Sequence, residues 1–114
     1  MISIQESYEL FFDTLSRLDN DKLKLNDDEL TWHIFEELDS EYHSFLHQNT
    51  VDILVNGRLI PEHLRGRILK LREDIYPVME SKQEIELYRN DPDWIQLRNE
   101  ANSIKNEIIE YQKT

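Results

Sequence analysis

Asn26-Asp27-Asp28-Glu29-Leu30-Thr31-Trp32-His33-Ile34-Phe35-Glu36-Glu37-Leu38-Asp39 is the stretch that decides the fold class. Asn26 and Asp27 are good N-caps, and Asp28 and Glu29 suit the positive end of a helix dipole. Leu30, Ile34 and Leu38 recur at four-residue steps. Tyr42 and Phe45 prolong the stripe, with Phe35 and Leu46 on its edge. The spacing predicts one amphipathic helix of about 19 residues. A break near Asp39-Ser40 is the alternative, because both residues favour caps over helix interiors.

The same periodicity extends in both directions. Ser3 and Glu6 have the spacing of a capping box. Ile4, Tyr8, Phe11, Leu15 and Leu18 then predict a first helix from about residue 4 to 18, widened by Phe12, with a loop over residues 19–25. Asn49 or Thr50 would cap a short helix through Val51, Ile53, Leu54 and Val55. Those residues are also the best strand candidate, but the run is short and has no pairing partner, so it reads as helix. Asn56-Gly57 supplies a left-handed stop. Pro61 reads as a first-turn proline before Leu64, Ile68, Leu71 and Ile75, a helix weakened at Gly66 and kinked or ended at Pro77. A short helix runs through Ile85, Leu87 and Tyr88. Asn90-Asp91-Pro92 marks the start of a last helix, from about residue 92 to 112, carrying Trp94, Leu97, Ala101, Ile104, Ile108 and Tyr111. The expectation is an all-α fold, a single domain over residues 1–114, built as a compact bundle of five to six helices.

Composition narrows the function. The 114 residues contain no cysteine, which removes disulfides, thiolate metal sites and a cysteine nucleophile. No P-loop or dinucleotide-binding glycine pattern appears in the sequence. A net charge of −11 repels nucleic acid and anionic lipid. No apolar run approaches the ~20 residues of a membrane span, and the start lacks the pattern of a signal peptide.

Charge is also uneven. Residues 1–52 hold thirteen acids and three bases, residues 53–76 three acids and five bases, and residues 77–114 eight acids and five bases. The excess therefore belongs to the first two helices, and a docking surface for a basic partner is one use of it, a solvated acidic face the other. Trp32 falls at the margin of the apolar stripe beside Glu29 and Glu36. It serves there either as a partly buried core residue or as a binding hot spot. His43 and His47, four apart, would share a face on a continuous helix, with Glu36 as a third metal ligand, but the pair lacks the glutamate of H-E-x-x-H. No catalytic constellation is present, and no enzyme activity or cofactor is expected. Arg58, Arg65, Arg67, Lys70 and Arg72 read as a solvated surface, with ion pairing to the acidic half as a second use.

Taken whole, the chain resembles the all-helical immunity proteins of bacterial contact-dependent growth inhibition. The resemblance rests on small size, acidity, absence of cysteine and the aromatic-acidic run Leu30–Asp39. The stretches Ile53-Leu54-Val55-Asn56-Gly57-Arg58-Leu59-Ile60-Pro61 and Arg89-Asn90-Asp91-Pro92-Asp93-Trp94 add to it. It implies a cytoplasmic antitoxin that binds the C-terminal effector domain of a toxin, often a basic nuclease, and has no direct contact with nucleic acid or membrane. The residues expected at that interface are Asp27, Asp28, Glu29, Trp32, Glu36, Glu37, Asp39 and Glu41. A helical adaptor without a toxin partner, or a metal-binding protein using His43 and His47, are the alternatives.

Overall fold

The computed structural model describes residues 2–113. Its first helix, α1 (Ile4–Arg17), begins where Ser3 Oγ accepts the Glu6 N–H at 3.1 Å and donates to the Glu6 carboxylate at 3.2 Å. Residues 19–25, expected as a loop, contain a short 3-10 helix, Asn20–Lys24. Asp19 starts it by accepting the Asp21 N–H at 2.9 Å.

Residues 27–45 form one uninterrupted helical rod. It comprises α2 (Asp27–Thr31), a π-helical segment (Trp32–Leu38) and α3 (Asp39–Phe45). No break occurs at Asp39-Ser40; the distortion lies one segment earlier, and packing explains it. Leu30, Ile34, Leu38, Tyr42 and Leu46 are all buried, at constant steps of four. In an α-helix each such step overshoots a full turn by about 40°, so the row would wind off the core. The wider i→i+5 turn of the π segment brings it back. Leu46, expected on the edge, is thereby buried, and Phe45, expected in the stripe, is half-buried.

Helix α4 (Gln48–Asn56) contains the Val51–Val55 run, and its cap is His47, whose Nδ1 accepts the Asn49 N–H at 3.1 Å. The helix closes with Leu59 N–H donating to Leu54 C=O at 2.9 Å and Arg58 N–H to Val55 C=O at 3.0 Å, the Schellman pattern. Its left-handed residue is Arg58, with φ 61°, not Gly57 as expected. Gly57 answers a different need: a Cβ there would collide with Ile4 Cδ1, where the start of α1 crosses α4.

Pro61 stands in extended backbone just before a 3-10 turn (Glu62–Leu64), one residue outside the first turn expected for it. Helix α5 (Arg65–Ser81) continues past Pro77, which therefore does not end it. The last turn holds because Met79 is fully buried and Ser81 Oγ donates to the Pro77 C=O at 2.6 Å. Helices α6 (Ile85–Asn90) and α7 (Pro92–Lys113) follow, the second capped by Asp91 accepting the Asp93 N–H at 2.9 Å.

The chain is all-α, with six helices when the rod is counted as one and no strand among the described residues. Helix α7 packs against α5, α1 and α6, while the rod lies across α1 and touches α5 and α6. A radius of gyration of 13.8 Å matches the roughly 13 Å of a compact chain of this length. A polar ridge on α7 holds the link between α1 and the rod. Arg98, only 4% exposed, donates to the C=O groups of Tyr88 and Arg89 and, at 3.2 Å, to Asn20 Oδ1. Asn102 donates to Leu18 C=O at 3.0 Å, and Lys105 pairs with Asp19 at 2.6 Å. Arg89 of α6 then grips the entry to the rod, donating to Leu23 C=O and Leu25 C=O, each at 2.8 Å, and to Asp27 at 3.0 Å.

Two stability outcomes follow from these contacts. Arg58→Gly removes the left-handed penalty of a side chain bearing a Cβ, and should raise the urea-derived unfolding free energy by about 1 kcal/mol. Arg98→Met leaves the buried Tyr88 carbonyl without its donor and should lower it by about 2 kcal/mol, a loss that exceeds the relief of burying one charge fewer. An unchanged midpoint for Arg98→Met would mean those carbonyls find other donors.

Candidate protein-binding face

The four-residue steps that bury one side of the rod expose the other. Asp28, Trp32, Glu36 and Ser40 are all exposed, in a row opposite the core residues, with Glu29 beside them. The cap that starts this face is Asn26, whose Oδ1 accepts the Glu29 N–H at 2.8 Å. Trp32 is 49% exposed, so of the two roles left open by its sequence position it does not take that of a core residue. The indole is nevertheless held: the Arg17 guanidinium lies 5.4 Å from its ring centre, and the His33 ring meets it edge-on at 4.9 Å.

Arg17 organises the flank between α1 and the rod. It pairs with Glu41 at 3.2 Å and Glu37 at 3.7 Å, and donates to His33 Nδ1 at 2.6 Å. A protonated Nδ1 could not accept that bond, so His33 is neutral in this geometry. Partial burial pushes the His33 pKa down, and the charges of Arg17 and Lys22 push it further, against the opposing pull of Glu37 and Glu29.

The eight residues expected at an interface thus divide. Glu37 and Glu41 face α1 and serve Arg17, and Asp27 serves Arg89. Asp28, Glu29, Glu36 and Asp39 carry no ion pair among the described residues, and the first three lie on the same exposed side as Trp32. Asp39, half-buried, lies on the side of Tyr42. There it lies close enough to the Tyr42 hydroxyl, together with Glu80 and Tyr76, to reinforce the effect of burial, which pushes that phenol up to about 12. Sequence reasoning missed Tyr76 and Glu80. They stand on α5, distant in the chain, and only folding brings them beside α3.

Two other constellations resolve differently. The shared face expected of His43 and His47 does not form, because α3 ends at Phe45 and His47 caps α4. No group of three or more potential metal ligands exists among the described residues. The cations of the basic stretch are largely spent inside the protein. Arg65 pairs with Asp52 and Glu62, Arg67 with Glu100 and Glu107, Lys70 with Asp74, and Arg72 donates to the His43 C=O at 3.0 Å. A groove of about 470 Å³ between α5 and α7 has Leu71, Val78 and Leu97 in its lining, with these paired ions around it. No helix is long and apolar enough to cross a membrane.

The His33 contact gives a pH dependence. Its folded pKa lies below the unfolded value of about 6.5, so the unfolded chain takes up the proton first as pH falls. The contribution is fully present above about pH 6.5 and is lost on acidification below it. His33→Gln, which keeps an acceptor for Arg17, should lose less stability than the parent between about pH 7.5 and about pH 5.5, as read by urea midpoints. Equal losses would show that other groups carry the dependence.

Comparison with protein-family models, with curated proteins and with solved structures finds no match to this chain, so the role of the acidic face rests on its chemistry.

Proposed function

We propose that the chain is a non-catalytic inhibitor, an immunity protein that docks the exposed side of the rod over the basic cleft of a nuclease toxin. One observation carries the reading. Most cations of the protein are consumed by internal pairs, yet Asp28, Glu29 and Glu36 have no ion pair among the described residues and stand around a half-exposed tryptophan. Unpaired carboxylates on a rigid helix attract a basic surface over a long range, and a desolvated indole supplies contact energy once docked. A nuclease cleft is basic because its substrate is a polyanion, and a carboxylate row occupies it as the phosphate backbone would. Nothing in this mode of inhibition calls for chemistry by the inhibitor.

The test uses the C-terminal domain of a large secreted toxin encoded immediately upstream, with association followed by stopped flow. Neutralising Asp28, Glu29 and Glu36 together should slow association about tenfold at low salt and flatten its salt dependence. Trp32→Ala should instead speed dissociation, by about tenfold or more. Absence of such a gene, or unchanged kinetics in a folded triple variant, would refute the reading.

A further inference from the structure

Where α3 lies against α5, a buried hydroxyl has been left without a partner. Tyr42 is 1% exposed, and its Oη makes no hydrogen bond among the described residues. The His43 ring lies 4.0 Å from the Tyr42 ring, and Tyr76, 53% exposed, meets His43 at 6.3 Å. The charged groups acting on the hydroxyl are Asp39 from its own helix and Glu80 and Arg72 from α5. Neither carboxylate has an ion pair among the described residues, while Arg72 is committed to the His43 carbonyl at 3.1 and 3.0 Å. The other unpartnered phenol, Tyr88, differs: its ring already carries Arg98, 5.0 Å away. At Tyr42 two unpaired carboxylates and an idle acceptor stand together, and the cation that reaches them, Arg72, is committed to a backbone carbonyl.

We propose that Asp39, Glu80, the Tyr42 hydroxyl and the exposed ring of Tyr76 form a receptor for one cationic side chain, an arginine or lysine, of a protein partner. The carboxylates accept its N–H groups, Tyr42 Oη takes a further one, and the Tyr76 ring lies along its stem. Tyr76 and Glu80 are exposed, so the outer part of the receptor is open to a partner's side chain. The receptor continues the Trp32 row around the rod onto α5 and gives the docked partner a second anchor. It rests on the docking reading above.

Carbon-13-labelled tyrosine in the full chain reads the site directly. Titration with N-acetyl-arginine amide should move the Tyr42 and Tyr76 ring signals saturably, and the neutral N-acetyl-citrulline amide should not. Glu80→Gln should weaken the arginine response about tenfold. Tyr42→Phe should weaken it several-fold without lowering the melting temperature, because the lost hydroxyl had no internal partner. Equal responses to both amides, an unaltered response in Glu80→Gln, or a Tyr42→Phe protein that melts lower yet binds as before would each overturn the receptor. A toxin domain slowed by neutralising Asp28, Glu29 and Glu36, but indifferent to Glu80→Gln, would remove the receptor and leave the docking face standing. Indifference to both would remove the face itself.

Discussion

Thirteen cations have to hold together a chain with twenty-four acids, and that shortage governs the architecture. Most basic side chains with a defined partner join segments remote in sequence. Arg17 bridges α1 to the rod, Arg89 and Lys105 fasten the connection between them, and Arg67 ties α5 to α7. Arg98 goes further, dispensing with a carboxylate and taking its solvation from carbonyls at the end of α6. Carbonyls at a helix C-terminus carry the partial negative charge a cation needs. No acid is therefore drawn inward to neutralise it.

This economy explains why Asp28, Glu29 and Glu36 are left exposed on one side of the rod with no ion pair among the described residues. A cation placed among Asp28, Glu29 and Glu36 would have to come from a joint that needs it. The face is acidic because the interior has first claim on the bases. That arrangement also separates the two roles of the rod. Its inner row packs with no ionisable carboxylate, and its outer row is open to a partner without disturbing the core.

The periodic parts of the fold were legible from the residues alone. Capping at Ser3 and Asn26, the apolar rows of the rod and of α7, and the boundary at Asp91-Pro92 depend on near neighbours in the chain. What was not legible depends on remote contacts. A row at steps of four is compatible with an α-helix until the core demands that Leu46 face inward, so the π segment left no signature of its own. Gly57 looked like the left-handed residue, but it is held at φ −79° and Ile4 occupies the space beside it, which passes the turn to Arg58. The burial of Arg98 depends on α6 carbonyls that only folding brings to it. Of the eight residues expected at an interface, Asp28, Glu29, Trp32 and Glu36 share the exposed side: the clustered acids were visible, whereas the commitment of Glu37, Glu41 and Asp27 to internal arginines required the packing of α1 and α6.

The π segment Trp32–Leu38 also sets how the rod tolerates changes in length. A wide turn accommodates what amounts to one surplus residue within an otherwise α-helical run. Deleting a single residue there would let the segment relax to ordinary pitch with everything beyond it keeping its facing, whereas the same deletion with the wide turn retained would turn everything beyond it by about 100°. In that second case Tyr42 and Leu46 would leave the core, and the outer carboxylates on either side of the deletion would no longer point the same way. The segment acts as a phase adjuster, keeping the two ends of the rod in angular register, and the single exposed face spans its whole length only because that adjustment is made in the middle.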